Sequence, residues 1–467
     1  MTSGRSRPFT PTLPWRGRAL TKVRDDGVMT GRLGIETRST LPEHEAVYGR
    51  LPDVGKRHGR NPGALVDEVE KAGLRGRGGG WFPTHLKLRA VVNSSADRGR
   101  LARTRHPVVI ANGMEGEPAS SKDAVLLTHS PHLVLDGITV AARTIGATDA
   151  FIAIHRDSRL VPGLEAALAE REAAGIDPLT IRLVTPPARY VSSEESALSH
   201  WVGEGVATPV FPDRPFQVGA AGRPTLVQNV ETLAHLALIA RYGGAWFAST
   251  GASNAPGTTL VTVGGAVHQS GVVEVPTGTT VEEILRLCGG PAEGIRGYLT
   301  GGYGGGWVAA EGFADVAWDP ESVRAGGGVI GASLLWALGE SVCPIDEMSR
   351  VSAWMAGESA GQCGPCMFGL PSIAEDVRAL ALRQCGEDDM HRLMNRLSLV
   401  TNRGGCKHPD GTSRFVSTGL QAFASEVEAH LTGACSVASQ RSTDPARHLP
   451  VPAARLALLD SSGRDFT

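Results

Sequence analysis

Gly73-Leu74-Arg75-Gly76-Arg77-Gly78-Gly79-Gly80-Trp81-Phe82-Pro83-Thr84, with Lys87 three residues beyond it, is the stretch on which the reading of this chain turns. Glycine has no Cβ, so backbone N–H groups in such a run can converge on an anion while Lys87 supplies a point charge; a phosphate is the natural guest. Taken bare, the run reads equally as a flexible turn. Its surroundings carry more. Leu65, Val66 and Val69 recur at helical spacing before it, and short β-branched runs alternate with helical ones after it. These are Val108 to Ala111, His132 to Ile145, Phe151 to Ile154, Leu160 to Glu172 and Ile181 to Val184. The alternation predicts a mostly parallel sheet with helices on its faces.

Further out, the pattern changes near Gly257. Leu260 to Val263, Val272 to Val275, a short helix from Val281 to Leu287 and a run from Gly297 to Thr300 predict a small β-grasp unit. The last third is helical, with one apolar stripe at Met348, Val351 and Met355 and a second at Ile373, Val377 and Leu380. A third runs through Met390, Leu393, Leu397 and Val400, and a fourth through Leu420, Phe423, Val427 and Leu431. Four such stripes joined by short links predict a four-helix bundle. The expected division is a flexible arm over 1–55, an α/β domain over 56–250, a β-grasp domain over 251–325, a helical bundle over 326–440 and a flexible tail over 441–467.

Composition narrows the function classes. Of 467 residues, 41% are hydrophobic and 20% charged, which suits a soluble globular chain. A net charge of −2 argues against a dedicated nucleic-acid binder. The longest apolar candidate, Gly327 to Leu338, is short and broken by glycines, so no membrane insertion is expected. The N-terminus lacks an apolar secretory core, which makes the cytoplasm the default. Seven cysteines without a signal peptide disfavour a disulfide framework and leave metal or cluster ligation open.

Four segments then align with one family. The glycine run closely resembles the flavin loop of the NADH-binding flavoprotein subunit of respiratory complex I and of its soluble hydrogenase and formate-dehydrogenase relatives, the family of NADH-quinone oxidoreductase F subunits. Asn112-Gly113-Met114-Glu115-Gly116-Glu117-Pro118 resembles that family's Asn-Ala-Asp-Glu-x-Glu-Pro. Tyr190-Val191-Ser192-Ser193-Glu194-Glu195-Ser196-Ala197-Leu198 resembles its Tyr-x-x-Gly-Glu-Glu-Thr-Ala-Leu. Pro224-Thr225-Leu226-Val227-Gln228-Asn229-Val230-Glu231-Thr232-Leu233 is similar to its Pro-Thr-x-x-Asn-Asn-Val-Glu-Thr-Leu. By themselves the clustered acids read equally as a solvated turn, and Glu194-Glu195 as ordinary partners of a helix N-terminus.

The resemblance implies a Rossmann-like flavin and NADH domain, an SLBB-type β-grasp domain and a helical bundle. It implies FMN and NADH as cofactor and substrate, held by Gly76, Arg77, Gly78, Gly79, Phe82, Lys87, Asn112, Glu115, Glu117, Tyr190, Glu194, Glu195, Gln228 and Asn229. Asn112 would meet FMN and Glu115 and Glu117 NADH, while Phe82 would stack the adenine. No side chain is needed as a general acid or base, because the cofactor carries the hydride chemistry; Glu115, Glu194 and Glu195 would position the rings. Trp81 and His85 stand where the family has glycine, which predicts a narrower flavin pocket. Met114, Ser193 and Gln228 also depart from the pattern.

Glu358-Ser359-Ala360-Gly361-Gln362-Cys363-Gly364-Pro365-Cys366 resembles the family's Glu-Ser-Cys-Gly-x-Cys-x-Pro-Cys, and Cys406 follows Cys366 by 40 residues as the implied further ligand of an iron–sulfur cluster. Ala360 replaces the first cysteine. This leaves open a [4Fe-4S] centre completed by water, by Cys343 or by His408, a [3Fe-4S] centre, or three cysteines lining a bundle. Cys288, Cys385 and Cys435 match no ligand spacing. The expected activity is NADH dehydrogenase, passing electrons to a thioredoxin-like or ferredoxin-type iron–sulfur partner, with the chain peripheral to a membrane only through partner subunits. The alternatives are a diaphorase without a cluster and a non-catalytic scaffold.

Overall fold

The computed structural model describes residues 31–35, 40–52, 62–98, 106–437 and 441–452. Most of the expected arm and the end of the expected tail lie outside these. The described part of the arm is anchored. Leu33 and Ile35 are buried, and His44 on the helix Leu41–Tyr48 pairs with Asp136 at 2.8 Å.

Four short strands build the first sheet: β1 (Val108–Asn112), β2 (Asp149–Ala153), β3 (Ile181–Val184) and β4 (Thr225–Asn229), all parallel, in the order β3-β2-β1-β4. β1 is a continuous apolar run because helices cover both faces of the sheet, which leaves no solvated side to alternate towards. The helices Pro131–Ile145 and Val230–Tyr242 pack so closely that a Cβ on Gly137 would lie 2.0 Å from the Leu233 carbonyl oxygen. Only glycine fits there. The expected elements differ from the observed ones by up to two residues at their ends, as helix fraying and strand-end pairing usually produce.

The second sheet has five strands: β5 (Thr258–Gly265), β6 (Gly271–Pro276), β7 (Ile295–Thr300), β8 (Gly306–Ala309) and β9 (Leu334–Gly339), ordered β6-β5-β9-β7-β8. β9 pairs parallel to β5 and antiparallel to β7. The expected boundary at 325 therefore falls inside this sheet: its central strand comes from the segment assigned to the bundle. β9 is buried at every position, so it lacks the alternating pattern that marks a half-exposed strand.

Five α-helices follow among the described residues, Pro344–Gly357, Leu370–Ala381, Glu387–Val400, His408–Ala422 and Ala424–Leu431. The first three carry the expected stripes, whose residues share one core with Phe415 and Leu420. The fourth stripe is split: Phe423, at φ −119° and ψ 36°, leaves helical geometry and divides it between two helices. A helical period continued across a one-residue break is invisible to pattern reading.

Candidate functional site

β1 leads on to β2 and β3 on one side of the sheet, while β4 lies on its other side. In open parallel sheets a crevice opens beyond the carboxyl ends of strands where the order reverses in this way. The last residues of β1 and β4, Asn112 and Asn229, are register partners at that point. Asn229 Oδ1 accepts from the Glu231 N–H at 3.0 Å and caps the following helix, and its Nδ2 donates to Asp123 Oδ2 at 2.7 Å. Asn112 Nδ2 donates to the Ser193 carbonyl at 2.8 Å, tying β1 to the turn that carries the paired glutamates.

The crevice widens into a cavity of about 520 Å³ walled by three parts of the chain. That volume suits a nucleotide-sized guest. Arg77, Gly78, Gly79, Gly80, Asn112, Glu115, Glu117, Lys122, Asp123, Tyr190, Glu194 and Asn229 come from the α/β domain, Gly301 and Gly304 from the second sheet, and Cys406, His408 and Arg414 from the helical region.

Beneath it lies a buried charge network. Lys122 Nζ sits 2.7 Å from Asp123 and 2.9 Å from Glu231, and Arg77 Nε 3.8 Å from Glu231. Burial works against the charge on Lys122, but Asp123 and Glu231 hold its pKa above the ordinary lysine value. Burial likewise opposes ionised Glu231, yet Lys122, His235 and Arg77 pull its carboxyl down to about 2. Glu115 bends back at φ +40° and accepts from Asp123 N at 3.0 Å and Ala124 N at 2.9 Å, at the start of the helix Lys122–His129; burial and then Asp123 raise it to about 7.

Glu117 is the group that asks for a ligand. The Tyr303 N–H donates to its Oε2 at 2.7 Å and the Ala119 N–H approaches the carboxyl, but no hydrogen bond of good geometry reaches its buried Oε1 among the described residues; burial outweighs both N–H groups and raises the carboxyl to about 8. A Cβ on Gly302 would lie 2.3 Å from Glu117 Oε2, so the opposing backbone approaches only because it is glycine. An orphaned polar atom beside a glycine-built wall fits a hydroxyl-rich, phosphate-bearing cofactor such as FMN or NADH.

Among the residues expected to bind it, Arg77, Gly78, Gly79, Asn112, Glu115, Glu117, Tyr190, Glu194 and Asn229 line the cavity; Gly76, Phe82, Lys87, Glu195 and Gln228 do not. The Phe82 side chain is exposed, and its carbonyl accepts from Gly76 N at 2.9 Å to close the loop. Lys87 is engaged by Glu195 at 2.5 Å. The narrowing expected from Trp81 does not occur. Trp81, at φ +47°, turns its indole out of the cavity into the core of the second sheet, donates to the Gly331 carbonyl at 3.1 Å and is covered by the Arg77 guanidinium at 4.3 Å. Met114 packs into a small apolar cluster with Ile110 and Val227. The sequence gives no role to Lys122, Asp123 and Glu231, although Glu231 lies inside the Pro224–Leu233 motif and Lys122-Asp123 follow closely after Pro118; a lysine and two carboxylates beside apolar runs were the available signal.

Cys363, Cys366 and Cys406 share one neighbourhood: burial first, then Cys363 and Cys406, push the Cys366 thiol up to about 12. Cys406 also lines the cavity. Of the two stand-ins considered for the missing ligand, Cys343 is engaged elsewhere, 3.4 Å from His430 Nε2. His408 Nε2 is held by the Met355 carbonyl at 2.8 Å, and its Nδ1 has no partner among the described residues.

Comparison with known proteins finds three family matches along the chain. Residues 69–238 match the Nuo51 FMN-binding domain, 260–302 the SLBB domain and 346–430 the NADH-ubiquinone oxidoreductase-F iron-sulfur binding region. The NADH-quinone oxidoreductase F subunit of Streptomyces coelicolor is 30% identical over 388 residues, covering 80% of this chain and 84% of that protein. The chain belongs to the family of NADH-quinone oxidoreductase F subunits. Another member, from Escherichia coli K12, is 29% identical over 386 residues, covering 79% of this chain and 85% of its own. The NADP-reducing hydrogenase subunit HndC of Solidesulfovibrio fructosivorans is 28% identical over 388 residues, covering 79% and 76%. Among solved structures, an NAD+-reducing [NiFe]-hydrogenase chain in the H2-reduced state superimposes with a TM-score of 0.76 at 27% identity, covering 89% of this chain and 68% of that one. As a member of the family, the chain carries an FMN-binding domain and an iron–sulfur binding region.

Proposed function

We propose that the chain is an NADH dehydrogenase flavoprotein that takes electrons from NADH through FMN and delivers them by way of an iron–sulfur centre at Cys363, Cys366 and Cys406 to a thioredoxin-like or ferredoxin-type partner. The observation that carries this reading is that Cys406 lines the same cavity as Gly78, Glu117 and Asn229. When bound, FMN supplies the junction between two-electron and one-electron chemistry. The residues of the chain hold and orient. The N–H groups of Gly78 to Gly80 suit the phosphate, Asn112 and Asn229 fix the wall at the strand ends, and Glu117 Oε1 hydrogen-bonds a nucleotide hydroxyl. Carboxyl groups at Glu115 and Glu117 suit hydrogen bonds to ribose hydroxyls, which favours NADH over NADPH. In the wider assembly the chain would be peripheral, attached through partner subunits; among the described residues no single helix is long and apolar enough to cross a membrane.

Ala360 favours a second reading, a flavin diaphorase without the cluster. A scaffold without cofactor is less well supported, because Trp81 and Met114 point away from the cavity and leave its wall intact. Anaerobic purification with absorbance, iron and sulfide analysis separates all three. The main reading expects bound FMN bleached by NADH, together with iron and acid-labile sulfide. FMN bleaching without iron would establish the diaphorase, and a colourless chain that ignores added FMN would leave the scaffold.

A further inference from the structure

Away from the cavity, four ligand-type side chains converge where the second sheet meets the last helix. Cys343 lies between β9 and the helix Pro344–Gly357. Glu426 and His430, one turn apart on Ala424–Leu431, present neighbouring groups on one helix face, and Cys435 follows in the next turn. One ligand atom from each, the two Sγ atoms, a carboxylate oxygen and an imidazole nitrogen, lie within 4.8 Å of one another. Cys343, Glu426 and His430 are buried.

The imidazole is already set for coordination. His430 Nδ1 lies 3.0 Å from the Leu380 carbonyl, an acceptor only, so Nδ1 carries the proton and the Nε2 lone pair faces the cluster. Nε2 is 3.4 Å from Cys343 Sγ and 3.5 Å from Glu426 Oε1. A tetrahedral zinc with metal–ligand bonds of 2.0–2.3 Å places its ligand atoms roughly 3.3–3.8 Å apart, and both separations fall in that window. The charge also balances. Two thiolates and a carboxylate around a dication leave one negative charge, and Arg296 Nη1 stands 3.2 Å from Glu426 Oε2 to meet it. Ser436 N donates to Glu426 Oε1 at 3.0 Å, orienting the carboxylate from outside.

We propose that Cys343, Glu426, His430 and Cys435 form a structural zinc site separate from the iron–sulfur cysteines. Two sulfur ligands with one nitrogen and one oxygen suit zinc rather than magnesium or calcium. Four protein ligands leave no open position for substrate, so the ion acts as a clasp. It ties the exit of β9 to the final helix and the turn after it, holding the helical region against the second sheet.

The test is metal analysis of the whole protein, purified anaerobically and dialysed against zinc sulfate and then against metal-free buffer. One zinc per chain is expected. His430→Ala and Cys435→Ser should each release it while FMN and iron content stay unchanged, and Cys406→Ser should lower iron while zinc remains. Should the variants fail to fold, the wild type decides: cobalt exchanged into it should show tetrahedral ligand-field bands with thiolate charge transfer. No zinc in the wild type, zinc that follows Cys406 instead of His430, cobalt spectra without these bands, or a Cys343–Cys435 disulfide in non-reduced peptide maps would each overturn the site.

Discussion

The wall of the nucleotide cavity and the loop from Ser359 to Cys366 have both departed from the family pattern, with unequal consequences. In the wall, Trp81 moves its side chain into the neighbouring core, Met114 packs beneath the sheet, and Ser193 donates to the Tyr190 carbonyl at 2.7 Å while its own carbonyl still receives Asn112. Part of the surface offered to a cofactor is glycine backbone, and these changed side chains turn away from it or bond elsewhere, so each alters little. In the cysteine loop, on the proposed function, each cysteine would itself be a bond to iron. Ala360 removes one, and no backbone group replaces a thiolate. Shared recognition tolerates drift, whereas ligation counts every ligand.

The sharpest way to press that contrast is to change the ligands. Cys363→Ser together with Cys406→Ser should abolish bound iron and electron delivery to a one-electron acceptor while FMN stays bound; iron retained at the wild-type level would contradict the assignment. Ala360→Cys should act in the opposite sense, raising iron and sulfide towards about four of each per chain and giving the reduced [4Fe-4S] resonance in electron paramagnetic resonance. An unchanged spectrum would mean that position 360 does not face the cluster.

In the wall, Trp81→Ala should cost about 3–5 kcal/mol in a denaturant melt, because it empties a site in the second sheet's core. Relief of the left-handed φ offsets only part of this, since alanine inherits most of the same backbone penalty. FMN affinity should change far less than stability. Glu117→Ala should weaken NADH binding by about 0.5–3 kcal/mol in an anaerobic titration, the usual range for one lost polar contact; unchanged affinity would remove the residue from the site.

The remaining effect is a pH dependence. The folded carboxyl of Glu117 is raised to about 8, so the folded chain binds more protons than the unfolded one between the ordinary glutamate value and about 8. Its contribution to stability is therefore present at low pH and declines as pH rises through that window. Glu117→Gln should make the nucleotide-free protein more stable than wild type at pH 8, by up to about 4 kcal/mol, with the gap shrinking to under about 1 kcal/mol near pH 5. A gap that widens on acidification would reverse the sign of the argument.

Much of the fold was legible because its periodicities are local. β1 reads as a buried strand, and the glycine run identifies the loop that opens the cavity. What remained hidden depends on partners distant in sequence. β9 pairs with strands on both sides, yet its own residues are uniformly apolar and carry no period. Phe82 and Lys87 sit inside a recognised motif, but one is exposed and the other is drawn off by Glu195, which no local pattern reports. Cys435 matched no ligand spacing because its companion Cys343 comes from another segment; the pairing of Glu426 with His430 on one helix face was the readable half of that cluster.

The central claim is one of place: the flavin sits where β1 and β4 part. A second cavity, about 790 Å³ and larger than the first, is bounded by Trp336, Cys343, Arg350 and Leu449, and offers neither the glycine loop nor the orphaned Glu117 oxygen. A crystallographic or cryo-electron-microscopy map of the FMN-loaded protein distinguishes the two. The account predicts density for the cofactor between Gly78–Gly80 and the Asn112–Asn229 pair; density in the larger cavity, with the first left to solvent, would contradict it.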